Sequence, residues 1–133
     1  MKILVMSEMA AVEYIKQTKE CVSIISITST LEDDVVFKHN GTLKNIFRMK
    51  LNDVLSTADG FDAPKQKDFS GLKKFVDNLN CDVLVVHCFA GVSRSAAVAA
   101  AVMDYLKIEH DLFNSNEYEP NKLVYKLAKK ELK

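Results

Sequence analysis

The chain has 133 residues, the size of one compact domain over residues 1–133, and 48% of them are hydrophobic, enough for a substantial core. Lys plus Arg equals Asp plus Glu at 18 each, so the formal net charge is zero. A neutral chain has no general attraction to nucleic acid or to an anionic membrane, so any preference for anions must be local.

Met1 to Met6 reads as a first strand, and Ser7 is placed to cap a helix over Glu8 to Gln17. In that helix Met9, Val12 and Ile15 recur every three residues. Val22 to Ile27 is continuous and β-branched, which suits a strand buried on both faces. Val35 to His39 and Thr42 to Leu51 flank Asn40-Gly41, the dipeptide of tight hairpin turns, and this predicts a β-hairpin. Asn52 to Lys65 is a polar connection holding Gly60 and Pro64. Gln66 to Leu79 then sets Phe69, Leu72, Phe75, Val76 and Leu79 on one helical face. Asp82 to Val86 is a short buried strand. Ser95 to Leu106 is an alanine-rich helix, apolar nearly all round, and is expected to run through the interior. A last helix is expected from near Pro120 to the C-terminus. This alternation predicts an α/β fold: a central, mostly parallel twisted sheet of four to five strands, flanked by helices.

The longest apolar run, Ala96 to Met103, is far short of the roughly 20 residues a bilayer requires. The first residues have neither a long apolar region nor a small-residue cleavage site, so the expected compartment is the cytoplasm, with no membrane partner. Cys21, Cys81 and Cys88 form no Cys-x-x-Cys pair, and their odd number suggests free thiols in a reducing compartment. His39 and His110 read as surface residues, and no zinc-type spacing is present, so no metal is expected. Lys126, Lys129, Lys130 and Lys133 read as a solvated helix face, and Tyr118 and Tyr125 as packing residues.

The chemistry concentrates between the predicted strand Asp82 to Val86 and the alanine-rich helix, in His87-Cys88-Phe89-Ala90-Gly91-Val92-Ser93-Arg94-Ser95. The carboxyl end of a strand delivers this loop to the edge where α/β proteins bind ligands. The helix behind it directs unpaired N–H groups and about half a positive charge at the loop. Gly91 permits a sharp turn, so the backbone amides of Phe89, Ala90, Gly91, Val92 and Ser93 can curl around an anion. Arg94 adds a planar fork able to grip two phosphate oxygens. In such surroundings Cys88 ionises more readily than a free thiol and becomes a nucleophile. Ser95 is placed to hydrogen-bond the sulfur and stabilise it as a leaving group, and His87 to orient the loop.

At these residues the chain resembles the protein tyrosine phosphatase superfamily, whose signature is His-Cys-x-x-Gly-x-x-Arg followed by Ser or Thr. The fuller form here, His-Cys-x-Ala-Gly-x-Ser-Arg-Ser, is similar to the dual-specificity branch. The resemblance extends over the preceding helix and strand and to Pro120-Asn121, and is weaker over the first thirty residues. It implies a phosphatase-like α/β fold and hydrolysis of phosphomonoesters through a cysteinyl-phosphate, with no metal or other cofactor. The implied substrate is a protein carrying phosphotyrosine or phosphoserine/threonine, and a monomer is the default. It also implies a general acid, an aspartate upstream of the loop. Asp53, 35 residues before Cys88, directly follows a predicted strand, as it does in the family, and is the first choice. Asp59 and Asp62 are alternatives, and Asp68 is assigned to the next helix. The tyrosine-specific branch carries Trp-Pro-Asp here, whereas this chain has no tryptophan, which favours a dual-specificity-like or atypical member.

Cys21 and Cys81 read as ordinary thiols, although Cys81 could pair with an oxidised Cys88 if the two were close. Three other readings compete: a non-catalytic phospho-ligand binding module, a rhodanese-type sulfurtransferase, and a phosphatase of RNA 5′ ends or inositol phosphates.

Overall fold

The computed structural model describes residues 1–57 and 60–133. Four strands form one sheet: β1 (Lys2–Ser7), β2 (Val22–Thr28), β3 (Leu43–Lys50) and β4 (Val83–Cys88). Their order is β1-β4-β2-β3 and every pairing is parallel. The helices are α1 (Glu8–Gln17), α2 (Leu72–Asp77), α3 (Arg94–Leu106) and α4 (Lys122–Glu131), with a 3₁₀ turn at Gln66–Phe69. The expected α/β class is therefore observed, with four strands. No helix among the described residues is long and apolar enough to cross a membrane.

Side-chain alternation along β2 and β4 builds two cores, one on each face of the sheet. Val22, Ile24, Val83 and Val85 pack against Ala11 and Ile15 of α1. Ile25, Ile27, Leu84 and Val86 pack on the other face against α2, α3 and α4. Burial on both sides explains why β2 and β4 read as unbroken apolar runs rather than alternating ones. Ala96 to Val102 of α3 are fully buried, as an interior helix requires. Ser7 caps α1 through Ala10 N–H at 3.2 Å.

Two expected elements differ. The hairpin around Asn40-Gly41 does not form: residues 35–39 are not a strand, and β3 pairs with β2 in parallel. Gly41 does take the turn conformation, with φ +87°, but the turn feeds a crossover. Phe37 is drawn into the α1-side core, edge-on to the His87 ring, and Arg48 Nη1 donates to the Val35 carbonyl at 3.0 Å. Burying that aromatic over the sheet outweighs the local preference of the dipeptide for a hairpin. The helix expected over Gln66 to Leu79 is broken into the 3₁₀ turn and α2, because Gly71 between them adopts φ +91°. Asp68, expected in that helix, lies in the 3₁₀ turn and accepts from Lys65 N–H at 2.8 Å.

Candidate active site

β4 ends at Cys88 and α3 begins at Arg94, so the intervening loop lies at the carboxyl edge of the sheet beside the end of β1. Gly91 determines its shape. Its φ is +72°, and a Cβ there would fall 2.4 Å from the Ser7 nitrogen and 2.5 Å from the Met6 carbonyl carbon. Only glycine lets the loop lie this close to β1. A further bond, Glu8 N–H to the Phe89 carbonyl at 3.1 Å, holds the two segments together.

Cys88 is buried, with its sulfur 3.1 Å from the Ser95 hydroxyl. Burial alone pushes the thiol pKa up, but the Ser95 hydroxyl, the N–H groups of Ser95 and Gly91, and the Arg94 charge together bring it below the ordinary value. Ser93, at the head of α3, does not cap the helix with its side chain. Its hydroxyl instead donates to Asp53 Oδ1 at 2.8 Å. The first-turn N–H groups of α3 are thereby left facing the loop.

Arg94 is only 7% exposed. One nitrogen, Nη1, donates to the Ser29 hydroxyl and to the Leu51 carbonyl, both at 2.9 Å. Its Nε is buried and has no partner among the described residues. A guanidinium fixed at one corner with a buried donor unused elsewhere is set to receive a planar or tetrahedral oxyanion. Ser29 is itself held, because its N–H donates to Glu32 Oε1 at 2.8 Å.

His87 is fully buried, with Nε2 2.7 Å from the Ser26 hydroxyl and Nδ1 3.3 Å from the Cys88 carbonyl. A carbonyl only accepts, so Nδ1 carries the proton and Nε2 accepts from Ser26. Burial holds the imidazole pKa below its ordinary value despite the Cys88 carbonyl, and Arg48 and Arg94 add to the depression. The neutral ring thus ties Ser26 of β2 to the Cys88 carbonyl at the start of the loop.

Asp53 reaches the site from the segment after β3. Oδ1 accepts from Ser93 and from Asn121 Nδ2, the latter at 2.9 Å. Asn121 also donates to the Val54 carbonyl at 3.2 Å, caps α4 through Val124 N–H at 3.0 Å, and donates its own N–H to the Ser93 carbonyl at 3.1 Å. It therefore ties the Asp53 segment, the loop and α4 to one another. A cleft of about 930 Å³ brings Asp53, Cys88, Ser93, Arg94 and Asn121 to one surface, rimmed by Leu55, Phe89, Ala90, Val92 and Pro120.

Of the other candidate acids, Asp62 is exposed and lies outside the lining of this cleft, and its carbonyl accepts from Asn52. Asp59 lies outside the described residues. His110, expected on the surface, instead pairs with Asp104 at 2.8 Å. Asp104 also accepts from Tyr125, whose burial and carboxylate neighbour push its phenol up to about 12. That cluster braces α3 against α4, away from the cleft. Spacing along the chain gave no sign of Ser29, Ser26 or the Leu51 carbonyl, because the topology alone brings them beneath the loop. Asn121 did carry a signal, standing after a proline at the head of the last helix.

Comparison of the chain with family models, with curated proteins and with solved structures returned no match in any of the three.

Proposed function

We propose that the chain is a cysteine-dependent phosphomonoesterase of the protein tyrosine phosphatase type, acting on phosphoproteins. The observation that carries this reading is the free, buried edge of Arg94 beside a Cys88 sulfur whose surroundings favour the thiolate. The phosphate is held by that edge and by the loop amides from Phe89 to Ser93. The Cys88 thiolate attacks phosphorus, forming the S–P bond as the P–O ester bond breaks. Protonated Asp53 gives its proton to the departing oxygen. Water then attacks phosphorus, Asp53 takes a proton from it, and the S–P bond breaks. The departing thiolate is received by the Ser95 hydroxyl, and inorganic phosphate is released.

The charges at the mouth favour a protein substrate over inositol phosphates or RNA 5′ ends. Among its described lining residues the cleft presents, besides Arg94, one cation, Lys122, against Asp53 and Glu119, and much of its rim is apolar. A polyphosphate would meet two carboxylates there, whereas an aryl or alkyl phosphate on a peptide presents a single dianion. A reactive thiolate with two further free thiols suits a reducing compartment such as the cytoplasm.

The test is hydrolysis of a generic aryl phosphate in the presence of a chelator. Wild-type protein turns it over, and Cys88→Ser abolishes turnover while retaining vanadate binding. Turnover unaffected by Cys88→Ser would refute the reading.

A further inference from the structure

We propose that a second, shallower pocket beside Asp53, walled by Leu31 and Phe61, is a specificity subsite for an apolar side chain flanking the phosphorylated residue of a peptide. This rests on the phosphatase reading and extends it to substrate sequence.

The pocket, about 210 Å³, shares Asp53 and Val54 with the main cleft and is completed by Ser29, Leu31, Asn52 and Phe61. A ligand whose phosphate ester reaches Asp53 therefore has its neighbouring groups at the mouth of this pocket. Its polar lining is already engaged. The Ser29 hydroxyl accepts from Arg94 and its N–H serves Glu32. Asn52 is buried, its Nδ2 donating to Thr30 Oγ1 and the Asp62 carbonyl and its Oδ1 accepting from Thr30 N–H. Apart from Asp53 little remains to recognise a polar group, and none of the described lining residues is a cation that could hold a second phosphate.

What remains is apolar. Leu31 is 90% exposed and Phe61 is 49% exposed. Leu31 is not on a loose loop: it lies in a turn closed by Glu32 N–H to the Ser29 carbonyl at 3.1 Å and pinned by the Ser29–Glu32 and Thr30–Asn52 bonds. Two large, exposed apolar side chains thus line a small hollow that shares Asp53 and Val54 with the catalytic cleft. The occupant that fits is a leucine-sized side chain adjoining the phosphoresidue, which would remove both from water.

The experiment compares kcat/KM for phosphotyrosine peptides that differ only in the residue immediately before or immediately after the phosphotyrosine, Leu or Ser. A small aryl phosphate serves as control. Wild-type protein is expected to prefer Leu in one of the two positions by about tenfold, from burial of one aliphatic side chain. Phe61→Ser and Leu31→Ser, both at exposed positions, are each expected to reduce that preference to below about threefold, with aryl phosphate turnover within about twofold of wild type. Equal rates for Leu and Ser in both positions would overturn the subsite, as would variants that lower all substrates alike. A dimer by sedimentation that Phe61→Ser dissociates would assign the surface to a second copy and also overturn it. If wild-type protein fails on the aryl phosphate as well, the phosphatase reading falls and the subsite with it. Normal aryl phosphate turnover without a flank preference removes the subsite alone.

Discussion

β4 carries a cysteine at one end and follows one at the other, and the two differ in almost every respect. Before its amino end, Cys81 is half-buried with its sulfur 3.8 Å from that of Met1. The nearby N–H groups of Asp82 and Val83 are both consumed by the Cys21 carbonyl. At the carboxyl end, Cys88 is buried under N–H groups of Gly91 and Ser95, a hydroxyl and a guanidinium. Identical side chains thus come to differ through the donors around them. Around Cys81 the main-chain groups satisfy one another, whereas the loop leaves N–H groups facing the Cys88 sulfur, where they favour its thiolate.

The largest test of this contrast is a pair of substitutions. Cys88→Ser is expected to lower aryl phosphate turnover by roughly 10⁴-fold or more, and Cys81→Ser to leave it within about twofold. Comparable losses from both would erase the distinction. Next comes Gly91→Ala, which places a methyl 2.4 Å from the Ser7 nitrogen and is expected to cost about 3 kcal/mol or more in denaturant unfolding. The same change at Gly41, where nothing lies within 4 Å, costs only the strain of its positive φ, about 1 kcal/mol.

Asp53→Asn is expected to lower kcat about 10²-fold for an unactivated phosphate ester. A proton donor matters most for a poor leaving group, so the loss should be much smaller for an activated aryl phosphate. An equal loss for both esters would assign the proton to another group. Ser95→Ala removes a hydroxyl that favours the thiolate, so the Cys88 pKa should rise toward the ordinary thiol value. Alkylation at pH 6 should then slow by about tenfold, with Cys81 alkylation unchanged.

The smallest effect concerns His87. Its pKa is depressed in the folded state, so the unfolded chain binds the proton more readily. Stability is fully present above the unfolded value of about 6.5 and is lost as pH falls below it toward the folded pKa. His87→Gln should flatten that part of the stability–pH curve.

Local signals were legible in the sequence where the chain's neighbours in space are also its neighbours in order. The loop from His87 to Ser95, the Ser7 cap and the buried strands fall in that class, and each forms close to where periodicity and residue type put it. Asp53 lies in the cleft three residues after β3, near the end of the strand expected there. The Asn40-Gly41 hairpin failed for the opposite reason: a local preference met a non-local one, the burial of Phe37 against His87. Gly71 lies inside the helix expected over Gln66 to Leu79, and its left-handed conformation divides it. The anchors of Arg94 come from Ser29 and Leu51, 65 and 43 residues away, and only the parallel register brings them beneath the loop.

The fit of Gly91 against Met6 and Ser7 has a consequence for folding. β1 is an edge strand whose single partner in the sheet is β4, so its pairing can be gained or lost without dismantling β2 and β3. The loop nevertheless rests on the carboxyl end of that strand. Regain of vanadate binding during refolding should therefore track arrival of β1, and can trail the bulk recovery of secondary structure. The first strand acts as a mould: the loop takes its final curvature only once it has been pressed against that strand.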